Sequence, residues 1–252
     1  EAVGIFEQSS FAKLLVQGRD SQGVLNKIAT ADVDVAVGKV VYTQFLNIRG
    51  GVEADLTVTR LAKDRYLVVT AAFTQTHVHA WIHENIPSDA FCVVTDVTSA
   101  YAMLNIQGPN SRALLGSISS TDFSNDRFPF GTMRNIEIGY QNAMAIRLSY
   151  SGELGWELYI PTEMALPAYD QLIAAGVEHG LKHCGYHTLN TLRVEKAYRE
   201  WAHDMGPCDT LLEAGLGFTA AWGKSGGFIG RDALIEQRDS GILKRRLVQF
   251  LL

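Results

Sequence analysis

Two carboxyl groups in the sequence have neighbours that would suit them to catalysis or ligand binding and not only to a place on the surface. Asp55 lies in the segment NIRGGVEADLTV, where alternating residues flank a double glycine. This pattern predicts a β-hairpin with a four-residue, glycine-containing loop. The hairpin would place Gln44 opposite Asp55 on one face of the sheet, with Tyr42 diagonal to Asp55. That face either meets water or lines a pocket for a flat, nitrogen-rich ligand, and the pattern leaves both interpretations open.

The second carboxyl group is Glu157, in the segment YSGELGWELYI. Gly152 and Gly155 predict a tight connection between two strands, after which Trp156 and Glu157 point to opposite faces. A carboxylate beside a turn can accept two N–H hydrogen bonds from an amino-substituted heterocycle. The alternative is an exposed turn carboxylate without a ligand.

Two glycine-rich segments match catalytic or cofactor patterns. GLGFTA, residues 215–220, fits the dinucleotide pattern GxGxxA, but the preceding PCDTLLEA is not typical of a buried strand. GKSGG, residues 223–227, fits the elbow that carries the serine of a hydrolase, here Ser225, but no HGGG-like oxyanion segment is present. A serine hydrolase is therefore retained only as a rival interpretation.

A histidine pair raises the question of a metal site. His79 and His83 are four residues apart in a segment predicted to be helical, a spacing that metal ligands often have. The pattern supplies no third ligand. Two surface histidines are therefore the preferred interpretation, and no metal is expected.

Composition and charge limit the classes of function. A chain of 252 residues with 47% hydrophobic content can form one large or two small globular domains. The net charge of −5 offers no basic surface for nucleic acid, and no apolar run approaches the roughly 18 residues of a membrane span. Three scattered cysteines indicate a reducing compartment, cytoplasm or mitochondrial matrix. The start without methionine and the alternating end LVQFLL lead us to expect a fragment.

Hydrophobic periodicity predicts an α+β fold with mostly antiparallel sheets. Strand and helix patterns come in clusters and not in strict βαβ order. Helices are predicted over TQTHVHAWIHEN, GPNSRALLGSI, TEMALPAYDQLIAAGVEHG and TLNTLRVEKAYREWAHD. The last of these would carry a favourable Glu195–Arg199 pair four residues apart.

Five segments taken together resemble the aminomethyltransferase folate-binding family, the group of the glycine-cleavage T-protein. They are NIRGGVEADLTV, LNIQGPNSRALL, YSGELGWELYI, LRVEKAYREW and LEAGLGF with the later FIGRDAL. Their order along nearly the whole chain is the order of the family. Within this group, VGIFEQSSFAKLLVQGRD, LRVEKAYREW and GILKRRLVQFLL are most similar to the folate domain of sarcosine and dimethylglycine dehydrogenases.

The resemblance implies a cloverleaf of small α+β subdomains that binds tetrahydrofolate. Residues 1–252 would form one such domain, with subdomain boundaries near residues 50–100 and 135–180. By the same resemblance, Asp55 would be the catalytic acid beside the reacting nitrogens of the folate. Cofactor-binding residues would be Glu157 at the pteridine edge, Tyr42 at the site and Arg193 near the anionic tail. Trp156, next to Glu157, is included among the cofactor-binding residues.

The resemblance also implies what this chain would do and what lies outside it. Sarcosine and dimethylglycine dehydrogenases carry FAD on a preceding flavin domain and have a small β-barrel behind, and neither is present in this sequence. The chain would capture an iminium or formaldehyde equivalent from a small amine-derived donor, giving a 5,10-methylene folate. T-proteins read ARD where this chain has TLN, residues 188–190, which counts against a glycine-cleavage role. The alternative is a non-catalytic binding module resembling the regulatory subunit of pyruvate dehydrogenase phosphatase.

Overall fold

The computed structural model describes residues 2–250, and this part of the chain divides into two compact units. Unit 1 comprises the chain as far as Phe11, then Gly38–Val40 and Val97–Tyr198. Unit 2 comprises Ala12–Val37, Val41–Asp96 and the chain from Arg199 onwards. Each unit is therefore assembled from separate segments of the chain. The subdomain boundaries expected from the sequence remain a prediction.

The helices and strands alternate along the chain in clusters, as the hydrophobic pattern predicts. The strands are β1 (Val3–Glu7), β2 (Ala12–Gln17), β3 (Val40–Leu46), β4 (Val52–Ala62), β5 (Arg65–Thr70), β6 (Val93–Asp96), β7 (Tyr101–Gln107), β8 (Met133–Ile138), β9 (Gln141–Ile146), β10 (Gly155–Pro161) and β11 (Leu181–Cys184). The α-helices are α1 (Ser21–Ile28), α2 (Gln75–Glu84), α3 (Ser111–Ile118), α4 (Ala165–His179), α5 (Tyr186–Glu195) and α6 (Arg231–Ser240). None of the helices among residues 2–250 has the length and apolar character that a membrane span needs.

Unit 1 contains a six-stranded sheet in the order β11-β1-β7-β10-β9-β8. Its neighbours are antiparallel except for β1 and β11, which run parallel. Trp156, Leu158 and Ile160 of β10 belong to one buried apolar cluster, which also takes Leu114 from α3 and Leu172 from α4. Because side chains alternate along a strand, Glu157 lies on the other face of β10.

Unit 2 contains a five-stranded sheet in the order β3-β4-β5-β2-β6. Strands β4, β5, β2 and β6 pair antiparallel in that order. The face of β4 that carries Ala54, Leu56 and Val58 packs into a buried cluster with residues of α1 and α2. Two mostly antiparallel sheets with helices packed on them confirm the α+β fold class.

The predicted hairpin around the double glycine is present, although its strands are separated by five residues, 47–51, and not by the predicted four. β3 ends at Leu46, β4 begins at Val52, and Asn47 N donates to the carbonyl oxygen of Gly51 at 2.9 Å. The side-chain oxygen of Asn47 accepts the backbone N–H groups of Arg49 and Gly51 at 3.0 and 3.1 Å. Gly50 has a φ of 81°, in the left-handed region that favours glycine. This loop sets the register that places Asp55.

One predicted helix is shorter than its sequence pattern suggests. The pattern predicts a helix that continues to Asp204, but α5 ends at Glu195. Ala197 then takes a positive φ of 57°, which an α-helix cannot continue through. Arg199 is therefore outside the helix, and its Nε donates to the carbonyl oxygen of Ala214 at 2.9 Å. The predicted helical Glu195–Arg199 pair is wrong for this reason.

Candidate functional site

Asp55 lies on the face of β4 opposite the apolar core of unit 2. Ala54 and Leu56 on either side of it are buried, whereas Asp55 is partly exposed. Gln44 Nε2 donates to Asp55 Oδ1 at 2.7 Å, and the Tyr42 side chain is also hydrogen-bonded to Asp55. The structure therefore brings together the three residues that the hairpin pattern places on one face.

The surroundings of Asp55 raise its proton affinity. Desolvation by burial raises its pKa from 3.8 to about 6, while the hydrogen bonds from Gln44 and Tyr42 act in the opposite direction because they favour the carboxylate. Such a carboxyl group is mostly ionised at pH 7 and is still basic enough to take up a proton. That combination suits a general base.

Gln44 is itself held by buried hydroxyl groups. Its side chain is fully buried, its Oε1 accepts a hydrogen bond from Thr219 Oγ1 at 2.6 Å, and its backbone N donates to Thr30 Oγ1 at 3.3 Å. Thr30 in turn is hydrogen-bonded to Thr43 at 3.0 Å. The sequence pattern places Gln44 opposite Asp55 but gives it no role. A glutamine within the mostly apolar strand segment VVYTQFL is the signal that could have marked it.

Glu157 in unit 1, like Asp55 in unit 2, lies on the face of its strand that is opposite the apolar core. It lies opposite Asn105 in the antiparallel pairing of β10 with β7, and it is partly exposed. Tyr159, two residues along the same face, donates from its hydroxyl to Glu157 Oε2 at 2.8 Å. Desolvation by burial raises the pKa of Glu157 from 4.5 to about 7, against the effect of that hydrogen bond.

The glycines of the YSGELG connection are required by its geometry. Gly152 has a φ of 75°, and a β-carbon there would lie 2.3 Å from Lys196 Cγ. A β-carbon on Gly155 would lie 2.2 Å from Gln107 Oε1 and 2.6 Å from the carbonyl oxygen of Ile106. The tight connection predicted from the two glycines is thus present, and it leads directly into the strand that carries Glu157.

The structure does not support the predicted contact between Trp156 and folate. Trp156 is fully buried in the apolar cluster of unit 1, on the face of β10 opposite Glu157. Its ring packs edge-on against Phe123 and Phe128, at centroid distances of 5.2 and 6.0 Å. A ligand could reach this ring only by opening the core, so Trp156 is a core residue.

Arg193 is buried within unit 1 at the end of α5, with 5% of its surface exposed. Its Nε donates to Asn190 Oδ1 at 2.9 Å and its Nη1 to the carbonyl oxygen of Tyr198 at 3.0 Å. These bonds hold the turn that follows the helix. Contact with a folate tail therefore remains a prediction for Arg193.

The family follows from comparison with known proteins. The family profile described as the GCVT N-terminal domain matches residues 1–224. The chain belongs to this family. The resemblance read from the sequence segments is thereby confirmed, and the GCVT family binds tetrahydrofolate.

Two curated relatives of this GCVT chain are much longer proteins. The 4-methylaminobutanoate oxidase (formaldehyde-forming) of Paenarthrobacter nicotinovorans is 46% identical over 94% of this chain. The mitochondrial sarcosine dehydrogenase of Mus musculus is 41% identical over 98% of this chain. The chain spans only 28% of the length of each relative.

A solved structure confirms the fold of this GCVT chain. The crystal structure of glycine cleavage system aminomethyltransferase T from Bartonella henselae superposes with a TM-score of 0.82 at 24% identity. The match covers 95% of this chain and 64% of that one.

The structure places the remaining patterns in turns and on helix α2. GLGFTA forms turns and a 3-10 helix, Gly217–Thr219, and lacks the strand, turn and helix of a dinucleotide site. Ser225 lies in a turn that no strand precedes, and the neighbouring Lys224 Nζ donates to three backbone carbonyl oxygens. The rings of His79 and His83 stack at 6.5 Å, and residues 2–250 contain no group of three or more potential metal ligands.

Proposed function

We propose that this chain is a tetrahydrofolate-dependent one-carbon transfer domain of a protein that oxidises N-methylated amino acids. Its family binds tetrahydrofolate, which supports the cofactor. The single observation that carries the catalytic part is Asp55, a partly buried carboxyl group with a pKa of about 6 and two hydrogen-bonding side chains.

The residues of unit 1 fit the pteridine part of the cofactor. The amino-pyrimidine edge of a pteridine presents N–H donors, and a carboxylate accepts two such bonds. Tyr159 donates to one oxygen of Glu157, so the second oxygen is the one we assign to the ligand. The pKa of Tyr159 lies well above 10, because burial and the nearby Glu157 disfavour its ionisation, so it remains a donor.

Asp55 is proposed as the catalytic residue of unit 2. When bound, tetrahydrofolate supplies the nitrogen nucleophiles that take up the one-carbon unit. Asp55 would stabilise the positive charge that develops on the reacting nitrogen and then accept the proton that this nitrogen loses. Gln44 and Tyr42 support this role because they donate to the carboxylate and keep it mostly charged at pH 7.

Two further contacts complete the proposal. Tyr42 is 37% exposed while its side chain is hydrogen-bonded to Asp55, so its ring is available to a ligand as well. Arg193 is proposed near the anionic tail of the folate, although its known bonds hold the turn after α5. Because Arg193 is buried, such a contact would require its guanidinium group to exchange partners.

The names of the relatives suggest the donor of the one-carbon unit. One relative is named for oxidising 4-methylaminobutanoate with formation of formaldehyde, and the other for dehydrogenating sarcosine. We infer that the donor here is the iminium or formaldehyde equivalent of a small N-methyl amine. The oxidation would take place on a separate flavin domain. Since the second relative is named as mitochondrial, the mitochondrial matrix is one proposed location.

The non-catalytic binding module is the weaker alternative. A module that only binds a partner has no need of a carboxyl group tuned near neutral pH. Asp55 and Glu157 both have such tuning, with pKa values of about 6 and about 7. This favours an enzyme.

The test is the rate at which the purified chain forms methylene folate from labelled formaldehyde and tetrahydrofolate, measured above the spontaneous rate. We expect acceleration by the native chain and its loss in Asp55→Asn. Asp64→Asn serves as the matched control, because Asp64 is an exposed carboxyl of the same unit. A native rate equal to the spontaneous rate would overturn the catalytic proposal.

A further inference from the structure

Thr219 contacts Gln44, the side chain that donates to Asp55. Its single hydroxyl proton has two possible acceptors. Its Oγ1 lies 2.6 Å from Gln44 Oε1 and 2.8 Å from the carbonyl oxygen of Leu216. Gln44 is fully buried and Thr219 is 8% exposed. Both side chains therefore need protein groups as hydrogen-bond partners, because buried positions give water little access to replace a lost bond.

The side-chain amide of Gln44 is asymmetric, and its direction matters to Asp55. With Nε2 towards Asp55, the amide donates to the carboxylate. With Oε1 towards Asp55, two acceptors would face each other unless the carboxyl group carried a proton. Any group that fixes the direction of this amide therefore controls which protonation state of Asp55 is favoured.

We propose that Thr219 is a positioning residue that, by donating its hydroxyl proton to Gln44 Oε1, holds the Gln44 amide with its NH2 group directed at the catalytic carboxyl group of Asp55. The hydroxyl acts on Asp55 only through Gln44. This inference rests on the proposed function in one respect, namely that Asp55 is the catalytic residue.

Thr219 belongs to GLGFTA, the segment that matches the dinucleotide pattern. Gly215 has a φ of 71°, and a β-carbon there would lie 2.8 Å from Arg199 Nη2. The turn at Gly215 leads into the 3-10 helix Gly217–Thr219, and Thr219 N donates to the carbonyl oxygen of Leu216 at 3.0 Å. Because the backbone N–H also donates to that carbonyl oxygen, the Leu216 carbonyl keeps a donor when the Thr219 hydroxyl donates to Gln44.

The test uses Thr219→Val, which removes the hydroxyl group and keeps the branched shape. We would follow the Asp55 carboxyl carbon by NMR during a pH titration of the labelled 252-residue chain. Loss of a donor to the charged form raises a carboxyl pKa, so the Asp55 titration should move upward by roughly one unit from its native value. In Thr219→Ser, which keeps the hydroxyl, it should stay near the native value.

Two controls separate positioning from a general loss of structure. Thr30→Val removes another buried hydroxyl that contacts the backbone of Gln44 but not its amide, and it should leave the Asp55 titration unchanged. In a Gln44→Leu background, Thr219→Val should have no further effect on that titration. An unchanged titration in Thr219→Val, or an equal shift in the Gln44→Leu background, would overturn the proposal.

The NMR titration needs neither folate nor turnover, so its outcome is independent of the proposed function. If the shift occurs and the chain does not accelerate methylene folate formation, the positioning of Gln44 stands and the catalytic role of Asp55 falls. If both hold, the pH–rate profile of Thr219→Val should move upward by the same amount as the Asp55 titration.

Discussion

Gln44 donates a hydrogen bond from Nε2 to Oδ1 of Asp55 at 2.7 Å, between neighbouring strands of the β3–β4 hairpin. This bond favours the carboxylate, whereas burial favours the neutral acid, and burial has the larger effect. The resulting pKa of Asp55 is about 6, which is close to neutral pH. A group with this proton affinity is mostly charged at pH 7 and can still accept a proton during a reaction.

Asp55→Asn should abolish one-carbon transfer with little effect on the binding of folate. The amide keeps the size of the carboxyl group but cannot accept a proton, so we expect a loss of about 100-fold or more in the transfer rate. The native rate should rise with pH through about 6, the value at which Asp55 loses its proton. Steady-state kinetics from pH 5 to about 8 would measure both effects. A variant with the native rate would contradict the assignment.

Glu157→Gln should change how the stability of the protein depends on pH. The folded-state pKa of Glu157 is raised from 4.5 to about 7, so between these values the folded state binds more protons than the unfolded state. Glu157 therefore lowers the free energy of unfolding as the pH rises through this window, and the loss is complete above about 7. Gln, which is neutral throughout, removes this loss.

We therefore expect Glu157→Gln to gain stability relative to the native chain on going from pH 4 to pH 8, by on the order of 3 kcal/mol. Urea unfolding at several pH values would measure this difference. Glu163→Gln is the matched control in unit 1, because Glu163 is exposed, and it should leave the profile as it is. A Glu157→Gln profile parallel to the native one would show that Glu157 does not have a raised pKa.

Trp156→Phe should reduce stability without affecting the affinity for folate. The indole is fully buried against Phe123 and Phe128, so the smaller ring leaves a cavity. We expect a cost of about 1–3 kcal/mol in the free energy of unfolding. Unfolding and folate titration of the same sample give the two values. A large change in the dissociation constant for tetrahydrofolate would restore Trp156 as a cofactor-binding residue.

Lys224→Met should destabilise the chain because it removes the hydrogen bonds that Lys224 makes at the end of α1. Lys224 Nζ donates to the carbonyl oxygens of Asn26, Ala29 and Ala31 at 2.6–2.8 Å. Methionine fills similar space but leaves these carbonyl groups without that donor, at a cost of about 2–4 kcal/mol. Lys63→Met is the control, since Lys63 is exposed in the same unit, and thermal unfolding compares the two. Equal effects of both substitutions would contradict the role of Lys224.

The parts of the site that the sequence predicts are those governed by local periodicity. Alternation on both sides of the double glycine is sufficient to place Asp55 opposite Gln44. The end of α5 is not predictable in this way, because nothing in the residue type of Ala197 signals its positive φ of 57°. The contact of Thr219 with Gln44 is not predictable either, because the two residues are 175 positions apart and only the tertiary fold brings them together.

Whether Trp156 belongs to the core or to the site is not predictable from the sequence. Strand alternation correctly separates Trp156 from Glu157, but it does not say which face of β10 is the core. An aromatic residue next to a candidate ligand-binding acid suits either a core or a site. Only the packing of Trp156 against Phe123 and Phe128 decides between them.

The most direct test of the central claim is calorimetric titration of the 252-residue chain with tetrahydrofolate, beside Glu157→Ala and Asp55→Ala. Glu163→Ala provides the matched control, since its carboxyl group is exposed. We predict saturable binding by the native chain and by the control, with affinity at least about tenfold weaker in Glu157→Ala. Absence of saturable binding by the native chain, or equal affinity in Glu157→Ala, would contradict the assignment of this chain as a folate-dependent transfer domain.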